Sequence, residues 1–241
     1  MTSALDRRPA AALRDRAIRA SSPRFAGPRA AVLALACVLA LTGLGLIWAA
    51  RLSADRFLYV SELGAVGEPT AEVFRWALMT VAVAAALVAL CAPRLAPRIR
   101  WLAAVPPALV LAGAALAFAV ASQVTCTAYC PLPVGPAFTW QDLIHTVCAV
   151  LGFAGAALVM LQAAADDRLR GLARFSLVAA IAVAVIAGAG GLLSLLRFAT
   201  QLGGILELIA TSIALLWLSG LAAFLAADLA RTRRPKAIPA V

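Results

Sequence analysis

The chain is expected to be an all-α integral membrane bundle of six transmembrane helices with both termini cytoplasmic. Three observations lead there. Hydrophobic residues make up 64% of the 241 positions and charged ones only 13%, far from the roughly half and quarter of a soluble domain. The apolar residues gather into six runs, each long enough to cross about 30 Å of hydrocarbon as a helix. The basic residues fall almost entirely into alternate connecting segments.

The runs cover about 30–50, 73–92, 101–122, 141–163, 175–196 and 203–227. Helices satisfy their own backbone groups, so each can enter lipid without a partner strand. The first run is longer than a signal-peptide core and has no clear cleavage site, so it counts as a span. Pro106 and Pro107 lie early in the third run and either delay or kink its helix. Gly152, Gly155 and Ala156 flatten one face of the fourth, and AGAGG at 187–191 does the same for the fifth. These are packing features and carry no chemistry. The last three spans do not repeat the first three, against an inverted-repeat transporter.

Orientation comes from the cations. With the N-terminus inside, 17 of the 21 basic residues are cytoplasmic: seven in the tail 1–29, three in 92–100, three in 164–174 and four in the tail 228–241. Only Arg51, Arg56, Arg75 and Arg197 remain outside, as the positive-inside rule requires. Trp48, Trp76 and Trp140 near outer ends and Trp101 near an inner one fit interfacial belts. The net charge of +10 therefore reflects topology and attraction of the tails to anionic lipids. Without basic stripes interleaved with aromatics, no nucleic-acid partner is expected. Almost every cation is arginine and asparagine is absent, a composition expected of a GC-rich bacterium and its plasma membrane.

Polar residues that are costly in lipid gather toward the outer third. The first outer loop holds Ser61 and Glu62; the second holds Cys126 and Cys130 and leads to Asp142 and His145, the chain's single histidine. Arg197 lies between the fifth and sixth runs, and Glu207 about one and a half turns into the sixth. His145 and Glu207 should each sit roughly 7 Å below a helix start. Asp142 and His145 share a face at i,i+3 spacing. Buried charges in lipid turn inward and find partners, so the expected pairings are Arg197 with Glu207 and His145 with Asp142 or Glu207. A polar pocket open to the outside follows.

Cys126 and Cys130 face an oxidising compartment on this topology, and a structural disulfide is expected there. Cys37, Cys91 and Cys148 read as small apolar residues. One histidine excludes a His-rich zinc site and bis-histidine haem ligation. Nucleotide-binding and serine-hydrolase motifs are missing, so no cofactor or metal is expected.

SELGAVGEP, CTAYCP and TWQDLIHT, with the six-run spacing, resemble the bacterial membrane family catalogued as domain of unknown function 998. The likeness covers about residues 30–227. It implies that Ser61, Glu62, Leu63, Gly64 and His145 belong to the family pattern, and it implies no activity. Three readings stay open: binding or transport of an ionic or amphipathic, lipid-like ligand; a membrane-embedded enzyme on lipid or lipid-linked substrates, with His145 as base oriented by Asp142 or Glu62; and a structural or assembly subunit.

Overall fold

The structure is a computed structural model describing residues 23–92, 95–131, 135–196 and 198–231. Among the described residues six α-helices form: α1 (Pro23–Ser53), α2 (Ala71–Cys91), α3 (Pro107–Gln123), α4 (Trp140–Ala164), α5 (Arg170–Leu195) and α6 (Thr200–Arg231). Short 3-10 turns occupy Ser61–Gly64, Leu102–Ala104, Gly135–Ala137 and Asp167–Leu169. Among the described residues there is no strand. Five of these described helices are long and apolar enough to cross a membrane; α3, with 17 residues, is shorter.

The third run departs from its expected bounds of 101–122. Residues 102–104 make a 3-10 turn, and the α-helix starts only at Pro107. Pro107 at the first helical position gives up a hydrogen bond that no helix makes there, and Pro106 before it adopts an extended ψ of 129°. The prolines delay the helix and do not kink it. At the opposite extreme, α1 and α6 run to 31 and 32 residues, beyond their apolar cores.

Each helix packs on its neighbours in chain order, and α6 closes back on α1. The result is a ring of six. Cross-loop hydrogen bonds sort the connections into two ends. At one end, the Val66 N–H donates to the Cys126 carbonyl (3.0 Å) and the Val60 N–H to Glu207 (2.9 Å). At the other, the Ala96 N–H donates to Asp166 (2.7 Å) and Arg29 reaches the Cys91 carbonyl (3.1 Å). The start of α1 therefore lies at the second end, with the α2–α3 and α4–α5 connections.

Burial of Ala, Leu and Val divides into two clusters. One, around Ile47, Leu63, Phe74 and Leu78, underlies the first end. The larger, around Met160, Val183, Trp217 and Leu221, fills the rest. Trp217 is fully buried and donates its indole N–H to the Ser176 hydroxyl (2.9 Å), joining α6 to α5. A narrow internal space of about 80 Å³ remains near the ring axis, touched by every helix except α5.

Candidate functional site

The first end is built by three loops that exchange backbone groups. The segment Phe57–Gly64 folds down over α6, and this requires Gly203: a Cβ there would lie 2.6 Å from the Tyr59 hydroxyl oxygen. With the loop so close, the Glu207 carboxylate caps the 3-10 turn. Its Oε2 accepts the Val60 N–H (2.9 Å) and its Oε1 the Ser61 N–H (3.3 Å). The Ser61 side chain lies beside the same carboxylate. Glu62 reaches back three residues to accept the Tyr59 N–H (3.0 Å).

The second loop is held by Asp142. Its carboxylate accepts the Thr127 N–H (2.8 Å), the Thr127 hydroxyl (2.8 Å) and the Thr139 hydroxyl, while Thr139 in turn accepts the Asp142 N–H and caps α4. Asp142 has no exposed surface. An acid in the first turn also complements the positive helix terminus. The Cys126 and Cys130 sulfurs touch, with Cα atoms 4.9 Å apart, and Tyr129 and Cys130 adopt left-handed φ values of 66° and 42°.

His145 is 3% exposed. Its Nδ1 lies 2.8 Å from the Val124 carbonyl and 3.2 Å from the Ala121 carbonyl, both at the C-terminal end of α3. Carbonyl oxygens only accept, so Nδ1 carries the proton and the neutral ring keeps its lone pair on Nε2.

The expected pairings are corrected by this geometry. Among the described residues, no carboxylate lies in ion-pair range of His145, and Asp142 and Glu62 are turned to backbone and threonine donors instead. Neither orients the imidazole; the end of α3 does. Arg197 lies outside the described residues, so its pairing with Glu207 is not described. Glu207 is seven residues into α6, roughly 10 Å down at 1.5 Å per residue, deeper than expected.

Ser61, His145 and Glu207 nonetheless meet. All three line both the axial space and a larger cleft of about 780 Å³ between α4 and α5. Below the polar end the cleft is walled by Ala149, Phe153, Ala157, Val183 and Ala187, with Cys130 and Pro131 at its mouth. Val150, Leu192 and Leu195 line it too, yet are 61%, 56% and 58% exposed. The cleft is therefore open sideways, through the face that apolar helices present to lipid. Glu62 and Asp142 do not line either space.

Sequence reasoning had no role for Gln162 and Asp166 at the opposite end, both buried. Gln162 donates to the Leu102 and Val105 carbonyls (2.8 and 2.9 Å), and Asp166 accepts from Ala96 and Arg168. A polar residue within or at the edge of an apolar run was the available signal.

The fold and site define a multi-pass helical membrane protein with a lateral cleft beneath a polar cap. Over residues 34–224 the chain matches the family described as protein of unknown function (DUF998), and it belongs to that family. No curated protein and no solved structure matches it.

Proposed function

We propose that the protein binds an amphipathic, lipid-like ligand in the α4–α5 cleft, its head at Ser61, His145 and Glu207 and its chain among the small residues below. The observation that carries this reading is the lateral cleft itself: one end polar, the remainder apolar, one side open to lipid. From His145 to Ala157 the wall runs twelve residues, about 18 Å along α4, enough for one long alkyl chain.

The setting proposed is a bacterial plasma membrane crossed six times, with α3 as the sixth span and both termini cytoplasmic. The ring closure and the arginine distribution support an even number of crossings. Exposed Trp48, Trp76 and Trp140 stand at helix ends nearest the polar cap and Trp101 at the opposite end, as two interfacial belts would. The cap then faces outward, where a Cys126–Cys130 disulfide is stable and clamps the mouth. The basic tails lie mostly outside the described residues, and their charge attracts anionic headgroups on this reading.

Native mass spectrometry of protein extracted in mild detergent tests the reading. An amphiphile-sized mass is expected on the wild type and lost from Ala187→Phe, which fills the cleft without touching the cap. Equal occupancy of both proteins by any such mass would refute it.

A further inference from the structure

We infer that the head group accepted at the polar cap is a hydrogen-bond donor, an ammonium or hydroxyl, in preference to a phosphate or carboxylate. The inference rests on the cleft reading and adds the chemistry of its ligand.

His145 directs its N–H to the carbonyls of Val124 and Ala121, leaving Nε2 as a lone pair. The Ser61 side chain stands beside Glu207, and a hydroxyl that donates there keeps its own lone pairs for the cavity. Glu207 takes one backbone N–H on each oxygen. Two donors leave the carboxyl group with acceptor positions unfilled. Thr211, on the axial side, has turned its hydroxyl to the Glu207 carbonyl (2.8 Å).

Each of these groups has its donor engaged by protein and shows an acceptor. The buried Glu62 carboxylate belongs to the same turn as Ser61 and adds negative charge behind the cap. Tyr59, Thr146 and Ser194 also line the cleft, and a hydroxyl can turn either way. A donor placed among Nε2, Ser61 Oγ and Glu207 completes the set. An anionic head there meets mostly lone pairs, and desolvating it among acceptors is costly.

The experiment uses full-length protein in phosphatidylcholine nanodiscs and three probes with one common chain: hexadecylamine, hexadecanol and hexadecyl phosphate. Occupancy is read by native mass spectrometry across a concentration series, for wild type, His145→Phe and Ala187→Phe, with Ala157→Phe as a second plug should the first not yield folded protein. The amine and the alcohol should each bind at least about tenfold more tightly than the phosphate, the weight of one hydrogen bond to a charged acceptor. His145→Phe should shrink that preference. An amine bound more tightly than the alcohol assigns part of the preference to charge; equal binding of the two assigns it to hydrogen bonding alone. Phosphate bound as well as or better than the alcohol, with the plug still blocking it, overturns the donor assignment and leaves the cleft reading intact. Failure of all three probes to bind, or binding indifferent to both plugs, overturns the cleft reading and the inference with it.

Discussion

The two ends of the ring handle buried polarity in the same way up to a point, and then differ. At the end formed by the α2–α3 and α4–α5 connections, Gln162 and Asp166 hold the backbone of 96–105 and 168. Neither of these side chains lines the axial space or the cleft. At the other end, Asp142 and Glu62 do the same work, but Glu207 and Ser61 remain half-buried and, with His145, border open space. Polar side chains in this bundle serve first to satisfy loops that water does not reach. What marks a site is polar side chains that also border open space, and among the described residues Ser61, His145 and Glu207 do so together at the first end.

Substitutions should divide along the same line. The largest loss is expected from Asp142→Ala, which empties a fully buried position and strands three partly buried donors; roughly 3 kcal/mol of stability should disappear in thermal melts of the purified protein. Ligand binding should fall too, because the Thr127 turn and the start of α4 carry the cap. Next, Gly64→Ala sets a Cβ 2.5 Å from the Phe74 ring, an overpacking that should cost about 1–3 kcal/mol in the same melts. Gln162→Met probes the sealed end. It removes two hydrogen bonds but also a buried Oε1 with no partner, so about 1–2 kcal/mol is expected, with amphiphile affinity unchanged. A fall in affinity from that variant would erase the distinction between the ends. Arg75→Ala breaks an exposed i,i+3 pair with Glu72 and should change the melting point by less than about 1 kcal/mol equivalent.

Much of the fold was legible in advance because it is decided locally. Six hydropathic runs became six helices, and the two prolines at 106–107 already announced that the third would be irregular. The helix length there turned on which proline effect prevails, and the first helical position prevailed. The site was legible by level but not by partner. Ser61, His145 and Glu207 were expected near one another and do share a cavity. The carboxylate beside His145, three residues away, looked like its natural partner. Asp142 instead answers to Thr127 and Thr139, and the ring turns to α3. Glu207 bonds a loop 147 residues earlier in the chain, which becomes possible only when α6 closes against α1. Such pairings depend on ring closure and on Gly203 admitting Tyr59, and spacing along one helix does not contain them.

The most direct measurement maps where a chain lies. A long-chain amine carrying a photoreactive diazirine at mid-chain is irradiated with the full protein in nanodiscs, and the adducts are sequenced. Labelling should concentrate on residues 149–157 of α4 and 183–192 of α5 and vanish in Ala187→Phe. Adducts spread evenly around the outward faces of all six helices, unchanged by that substitution, would contradict the account.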